Sequence, residues 1–168
     1  AVYAMVSIPN YDLNDPYGRP FGVGEEAWNY MSSEERVNYI MANAWRNRCV
    51  SDTYEPGSTF KALTTCMAFE ENLAREDDLF RDEPMKLSEQ HTISCWMQKT
   101  AAYNHGMETL TKAFENSCNP VFSQLAQKIG INKYYSYVRM LGFYEKTGID
   151  LPAEGKGISD RHLRQNVF

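Results

Sequence analysis

The most reactive arrangement in the sequence is a serine followed three residues later by a lysine, Ser58 and Lys61. On a helix these positions share one face. Gly57 allows a tight turn before the serine, and a helix N-terminus favours the negative charge that develops on an attacking hydroxyl. A lysine with reduced hydration has a lowered pKa and can act as the base. The pair therefore predicts a nucleophilic serine, although a capping serine followed by a solvated lysine has the same spacing.

A second polar segment, Ser117-Cys118-Asn119, stands at a break between two apolar helical patterns. The first pattern predicts a helix that ends near Ser117. Pro120 suits the first turn of the next helix. Taken alone, the segment is an ordinary helix-terminus signal. Its hydroxyl and amide gain chemical meaning only if the fold brings them close to Ser58.

Together the two segments resemble the first and second motifs of class B penicillin-binding proteins, whose superfamily carries S-x-x-K followed by a serine and an asparagine one residue apart. Residues 52–61 closely resemble the nucleophile segment of that family. The separation of 59 positions between the two serines lies within the family's range. Residues 3–12 and 141–152 also look like the flanking segments of the family, so the resemblance spans nearly the whole chain.

The resemblance implies acyl transfer to a serine. Ser58 would attack the D-Ala–D-Ala amide of a peptidoglycan stem peptide, and Lys61 would take its proton. Ser117 would relay a proton toward the leaving amine, and Asn119 would hold the substrate backbone. The backbone N–H of Ser58 would supply one oxyanion donor. A β-lactam would acylate Ser58 and remain bound.

Lys146-Thr147-Gly148 spells the third motif of the family, but its context indicates a structural loop. In the family the third motif lies on a strand that lines the cleft, far downstream of S-x-N, and Thr or Ser usually follows it. Here the segment starts only 27 residues after Asn119, and Ile149-Asp150-Leu151-Pro152 follows it. We therefore expect residues 1–168 to be a partial transpeptidase domain that lacks the third motif and the C-terminal strands, and to be inactive in isolation.

Cys95, His105 and Cys118 are residues of the types that bind zinc. Their spacings of 10 and 13 residues differ from the short paired spacings of zinc fingers. The pattern alone therefore leaves two interpretations open: a metal site, or three unrelated residues with Cys118 as a small apolar side chain.

The family resemblance favours the metal site. Some class B members of the elongation type carry zinc beside the S-x-N loop, bound by a histidine that precedes a glycine, by the middle residue of S-x-N and by a residue that precedes a tryptophan. His105, Cys118 and Cys95 occupy those positions, and Asp82 fits the fourth ligand, with Asp78 as the alternative. This chain departs by a cysteine at 95 and by additional residues between 96 and 105. Such a zinc would be structural, because four protein ligands leave no open position; no other cofactor is implied.

The elements that must position these residues follow from periodicity, capping and breaker residues. In chain order, the predicted elements are a strand over 2–8, a loop over 9–24, a helix after a capping box of Ser32 and Glu35, a helix beginning near Ser58, short strands or loops over 76–106, a helix ending near Ser117, a helix from Pro120 to Gly130, a helix over about 132–141, and a loop over 145–157. The resemblance implies the α+β transpeptidase fold shared with β-lactamases, an antiparallel sheet with helices on both faces, of which this chain would hold mostly the helical part.

Composition narrows the class of partner. A 168-residue chain that is 43% hydrophobic can bury one core, and its net charge of −5 argues against nucleic acid or an anionic membrane surface. No apolar run approaches the roughly 20 residues of a membrane span, and no signal peptide opens the chain. The resemblance implies a protein at the extracytoplasmic face of the bacterial cell membrane, anchored by a part outside this chain. Its partners would be stem peptides, β-lactam antibiotics and a membrane glycosyltransferase.

Two other functions use the same serine and lysine: a β-lactam sensor module that does not turn over, and a class D-like serine β-lactamase. The Glu55-Pro56-Gly57 lead-in, Asn119 and the loop 149–152 argue against the lactamase. The sequence leaves open whether elongation, division or sporulation is served. Four cysteines also allow two disulfides, although Cys49 and Cys66 are predicted to be buried small residues.

Overall fold

The computed structural model describes residues 2–97 and 104–158. The chain divides into two compact units. The first combines residues 1–54 with 144–168, and the second is residues 55–143.

The first unit is built from short helices around a small core. It holds helix α1 (Glu25–Tyr30), helix α2 (Ser33–Tyr39), a π-helical turn (Ile40–Ala44) and helix α3 (Arg48–Ser51). The predicted capping box is confirmed: the Glu35 amide donates to the Ser32 hydroxyl, and the Ser32 amide donates to the Glu35 carboxylate. Val23, Trp28, Ile40 and Ala44 form the core. The sequence prediction missed α1 and α3, which are only six and four residues long.

The strand predicted over residues 2–8 is wrong, since these residues form neither strand nor helix. A strand needs a neighbour to pair its backbone groups, and no strand of the described residues pairs with this segment. Its apolar side chains are exposed, Tyr3 at 97% and Val6 at 72%. The Cys49 thiol donates to the carbonyl of Val6, which ties the segment to α3.

The second unit carries every residue predicted to do chemistry. It begins with a 3-10 turn (Gly57–Thr59) and helix α4 (Phe60–Glu70). Strand β1 (Leu79–Asp82) pairs antiparallel with β4 (Gly106–Thr109), and β2 (Met85–Lys86) pairs with β3 (Thr92–Ile93). Helices α5 (Leu110–Glu115), α6 (Asn119–Ile129) and α7 (Ile131–Met140) follow.

Helix α6 lies at the centre of this unit. Val121, Phe122, Leu125 and Ile129 recur at helical spacing and are all buried. This apolar face packs against α4 and β1. The predicted helices near Ser58, before Ser117, after Pro120 and over about 132–141 are therefore confirmed within one or two residues, and the α+β class is confirmed as well.

Lys146-Thr147-Gly148 lies in a loop of the first unit and not on a strand, as its sequence context predicts. The Thr147 amide and hydroxyl each donate to Glu154 Oε1 at 2.6 Å, and the Gly148 amide donates to Oε2 at 3.2 Å. The Thr147 hydroxyl bond is the largest of the effects that lower the pKa of Glu154. The segment thus wraps a carboxylate of its own loop.

All four cysteines are free. The prediction that Cys49 and Cys66 are buried is wrong, since both are exposed. Cys66 lies off the face of α4 that Thr64, Met67 and Ala68 bury. No helix among the described residues is long and apolar enough to span a membrane.

Candidate active site and metal centre

The predicted nucleophile lies in the 3-10 turn that leads into α4. Gly57 has a φ of 54°, a left-handed conformation that glycine adopts without strain. This turn places Ser58 just before the helix, with its side chain exposed to solvent. The hydroxyl is therefore accessible to a substrate, and the backbone N–H groups of the first helical turn lie beside it.

Lys61 joins the two serine motifs. Its Nζ lies 3.4 Å from Ser58 Oγ, 2.8 Å from Ser117 Oγ and 2.7 Å from Asn119 Oδ1, and it also donates to the Ser117 carbonyl at 2.6 Å. The Ser117 hydroxyl donates to Ser58 Oγ at 3.0 Å. The structure thus brings together all four residues that the sequence analysis assigned to catalysis, although they come from segments more than fifty residues apart.

The Lys61 side chain is partly shielded from water. Burial lowers its pKa below the usual lysine value, and the thiols of Cys118 and Cys95 act in the opposite direction. The ring of Phe122 lies 5.4 Å from Nζ and forms part of this shield. A lowered pKa increases the neutral fraction of the amine, which is the form that can accept a proton from a serine hydroxyl.

Ser117 owes its position to the way helix α5 ends. The Cys118 amide donates to the Ala113 carbonyl, and the Ser117 amide donates to the Phe114 carbonyl, which is the hydrogen-bond pair of a Schellman motif. That motif requires a left-handed residue at the position of Ser117, whose φ is 51°. Glycine usually fills this position, so a serine here carries backbone strain for the sake of its hydroxyl.

The residues of the S-x-N segment alternate between two environments. Ser117 and Asn119 direct their polar atoms to Lys61. Cys118 between them is fully buried and makes no side-chain capping bond to α6. One tripeptide therefore borders both the serine–lysine group and the protein interior.

Cys118 meets Asp82, Cys95 and His105 in the interior. Their ligand atoms all lie within 4.8 Å of one another. Asp82 is the last residue of β1, where the alternation of the strand turns it inward with Phe80. It pairs with Gly106, which places His105 at its side. His105 Nδ1 lies 2.9 Å from Asp82 Oδ2 and 3.3 Å from Cys95 Sγ.

The structure includes Asp82, and not Asp78, in this cluster. Asp78 precedes β1 and accepts a hydrogen bond from the Arg75 amide at 2.9 Å. Asp82 is fully buried, and its Oδ1 has no hydrogen-bond partner.

The electrostatics of the cluster fit a bound cation. Burial, followed by nearby carboxylates, raises the pKa of both Cys95 and Cys118. Burial opposes ionisation of Asp82 too, but hydrogen bonds from His105, Cys95 and Cys118 hold the pKa of that carboxyl below its usual value. Two thiols, an imidazole and a carboxylate match the ligand types and number of a structural zinc site. A cation would also satisfy the orphaned Asp82 oxygen.

Three further residues lie beside the site, and the sequence pointed only to Trp96, through its place after Cys95. Glu108 is buried and accepts a hydrogen bond from the Asn116 side chain at 2.8 Å. Trp96 Nε1 donates to the Asn116 carbonyl at 2.9 Å. The sequence gives no sign of Glu108, because a glutamate in a short strand ordinarily faces solvent.

Comparison with known proteins gives one family over essentially the whole chain. The family described as penicillin binding protein transpeptidase domain matches residues 1–167. Stage V sporulation protein D of Bacillus subtilis is 42% identical over 116 residues, which cover 67% of this chain and 17% of that protein. Peptidoglycan D,D-transpeptidase MrdA of Acinetobacter baumannii is 29% identical over 162 residues, covering 94% of this chain and 22% of that protein.

Solved structures agree with this family. Pseudomonas aeruginosa PBP2 in complex with WCK 5153 matches with a TM-score of 0.70 and 25% identity, over 98% of this chain and 36% of that one. Penicillin-binding protein A from Mycobacterium tuberculosis, as a ceftriaxone acyl-enzyme complex, matches with a TM-score of 0.62 and 28% identity, over 83% of this chain and 30% of that one. The chain spans about a fifth of the length of stage V sporulation protein D and of MrdA, the two curated relatives described above.

Proposed function

The chain belongs to the penicillin-binding protein transpeptidase domain family, and from that premise we propose that it supplies the first two motifs of a D,D-transpeptidase that cross-links peptidoglycan stem peptides through a serine acyl-enzyme. The observation that carries the proposal is the meeting of Ser58, Lys61, Ser117 and Asn119 around one amine. Relatives named as peptidoglycan D,D-transpeptidases support the substrate class.

In the acylation step, Ser58 Oγ forms a bond to the carbonyl carbon between the two D-alanines, and the amide C–N bond then breaks. The neutral amine of Lys61 accepts the Ser58 proton. Ser117 donates its hydroxyl proton to the departing amine and takes up the proton held by Lys61, since its hydroxyl is within hydrogen-bond distance of both Lys61 Nζ and Ser58 Oγ. An amine of a second stem peptide later attacks the ester, which forms the cross-link and restores the serine.

Two groups would orient the substrate. Asn119 Oδ1 accepts from Lys61, which leaves the amide nitrogen of that side chain to donate to a substrate backbone carbonyl. The Ser58 N–H would stabilise the negative charge on the attacked carbonyl oxygen.

Covalent labelling tests the proposal. In the complete transpeptidase that contains this chain, a fluorescent penicillin should acylate Ser58 and remain attached, because the β-lactam carbonyl is attacked in the same way. Ser58→Ala should abolish labelling, whereas Ser88→Ala, an exposed serine outside the site, should label like the wild type. Persistent labelling of Ser58→Ala contradicts the nucleophile assignment, and rapid loss of the label with hydrolysed product indicates a β-lactamase instead.

We also propose that Asp82, Cys95, His105 and Cys118 bind a structural zinc. Bound there, zinc would cross-link the end of β1, the start of β4 and the S-x-N segment, and so brace Ser117 and Asn119. The buried, unpartnered Asp82 Oδ1 supports this proposal. Elemental analysis should find about one zinc per chain, and less than about 0.2 equivalents would contradict a tight site.

We further propose that residues 1–168 are part of a larger transpeptidase domain, with the third motif outside this chain. The loop position of Lys146-Thr147-Gly148 supports this reading. The domain would act at the extracytoplasmic face of the bacterial membrane with a membrane glycosyltransferase as partner. The exposed Cys49 and Cys66 provide a test of location: a membrane-impermeant maleimide should label them in intact cells, and labelling only after lysis would contradict this placement.

A further inference from the structure

Asn116, the residue immediately before Ser117, is held from two sides. Its side-chain Nδ2 donates to Glu108 Oε2 at 2.8 Å. Its backbone carbonyl accepts from Trp96 Nε1 at 2.9 Å. We define Glu108, Trp96 and Asn116 as the Asn116 clamp.

The clamp acts where the backbone of the site is strained. Ser117 has a left-handed φ of 51°, a conformation that a non-glycine residue keeps only when its surroundings impose it. Its hydroxyl must stay within reach of two partners, Lys61 Nζ at 2.8 Å and Ser58 Oγ at 3.0 Å. A small rotation of the Asn116 peptide would move the Ser117 hydroxyl away from both.

The burial of Glu108 is costly, and the hydrogen bond from Asn116 is the contact that offsets it. Glu108 is only 5% exposed, and no basic side chain in the described part of the chain forms an ion pair with it. Its Oε1 is buried without a hydrogen-bond partner. An apolar residue of similar size would be cheaper to bury beside its cross-strand neighbour Phe80.

We propose that Glu108 is a positioning residue for Ser117, acting through the Asn116 side chain, with Trp96 as the second arm of the clamp. Glu108 touches neither Ser58 nor the expected substrate, and its effect on acylation passes through the orientation of the Ser117 hydroxyl. This inference rests on the proposed acylation of Ser58.

The clamp also joins the metal cluster to the serine–lysine group. Trp96 directly follows Cys95, and its ring lies edge-on to that of His105 at 6.0 Å. Glu108 lies on β4, three residues after His105. A displacement of Cys95 or His105 would therefore reach Asn116 through Trp96 and Glu108. This route is separate from the one through Cys118.

A graded pair of substitutions at Glu108 tests the proposal in the complete transpeptidase. Glu108→Leu removes the acceptor at similar volume, whereas Glu108→Gln keeps an amide oxygen that can accept from Asn116. We expect Leu to lower the saturating acylation rate constant for a fluorescent penicillin about tenfold, with little change in the half-saturating concentration, and Gln to restore most of the rate. Glu115→Leu, on the exposed surface of α5, is the matched control.

Hydrogen exchange provides the second readout. The Ser117 and Cys118 amides are both bonded to carbonyls of α5, so loosening of the clamp should speed their exchange in Glu108→Leu relative to Glu115→Leu. Trp96→Phe keeps a ring but removes the N–H donor, and it should speed the same amides.

The possible results separate this inference from the proposed function. If the wild type is not labelled by penicillin, the proposed function fails, and hydrogen exchange alone then decides for or against the clamp. If the wild type is labelled and Glu108→Leu reacts at the wild-type rate, Glu108 does not position Ser117. Equal loss of rate and of zinc in both the Leu and Gln variants would make Glu108 a metal ligand, and would also overturn the proposal.

Discussion

The serine–lysine group and the metal cluster lie on opposite sides of the same tripeptide and differ in how completely their polar atoms are satisfied. Lys61 has acceptors for all its protons within the site. Across Cys118, Asp82 keeps an orphaned oxygen, and both buried thiols have raised pKa values. The first group is preorganised by protein atoms alone, whereas the second has the donor set for a cation.

This difference suits the two groups to different roles. A proton-transfer site must hold its hydroxyls and amine close without locking them, and the exposed Ser58 hydroxyl leaves room for substrate. A structural metal site must be closed and dry. The S-x-N segment borders both groups, so under the proposed function we expect a metal bound in the cluster to hold Ser117 and Asn119 in place for proton transfer.

The largest expected effect comes from removing the amine. Lys61→Met keeps the length and apolar stem of the side chain but cannot accept a proton. We expect penicillin acylation of the complete transpeptidase to fall by about a thousandfold or more, measured as the rate of label incorporation. Lys86→Met, on the exposed strand β2, is the control. A loss of less than about tenfold, well below the roughly 100-fold minimum expected for general base catalysis, would mean that Lys61 is not the base.

Removing a cluster ligand should have a smaller effect on acylation and a larger effect on stability. Cys118→Ser should release zinc and slow acylation about 10- to 100-fold, because the S-x-N segment loses its interior anchor. The melting temperature should also fall. Cys66→Ser, at an exposed position on α4, should leave the zinc content, the acylation rate and the melting temperature unchanged. Wild-type zinc content in Cys118→Ser would contradict the assignment of this ligand.

The pH dependence of acylation should report the Lys61 amine. Because burial lowers its pKa, the neutral form accumulates at lower pH than for a free lysine. The acylation rate should therefore rise with pH, by up to about tenfold per unit, and reach half its maximum below the usual lysine pKa of about 10.4. Penicillin acylation rates measured across this range, at constant ionic strength, provide the check. A rate that falls as pH rises would contradict a neutral-lysine base.

The sequence predicted which residues belong to the serine–lysine group and to the metal cluster, but not the contacts that position them. Ser58, Lys61, Ser117 and Asn119 were recognisable because chemistry restricts their types and the family fixes their order. The cluster required the resemblance as well, since spacings of 10 and 13 residues encode no geometry by themselves. Only the structure separates Asp82 from Asp78, because the alternation of β1 turns Asp82 inward.

Interactions between distant segments were beyond sequence reasoning. The hydrogen bond from the Asn116 side-chain amide to Glu108 depends on the pairing of β1 with β4, because that pairing buries Glu108 opposite Phe80. The strand predicted over 2–8 failed for a related reason: β-branched residues show a preference for strands, but a strand exists only where another one pairs with it. Local signals such as the Ser32 capping box were reliable because their partners are three residues away.

The smallest expected effect concerns the segment that imitates the third motif. Glu154 accepts three hydrogen bonds from Thr147 and Gly148, and these lower its pKa. Since the folded pKa lies below the unfolded one, the carboxylate stabilises the fold above the unfolded pKa, and this contribution disappears as the pH falls through the folded pKa. Glu154→Gln should therefore melt slightly below the wild type at pH 7, with the difference shrinking as the pH falls below the unfolded pKa of about 4.3, while penicillin labelling stays unchanged. Loss of labelling in Glu154→Gln with a normal melting temperature would mean that Lys146-Thr147-Gly148 serves the active site after all.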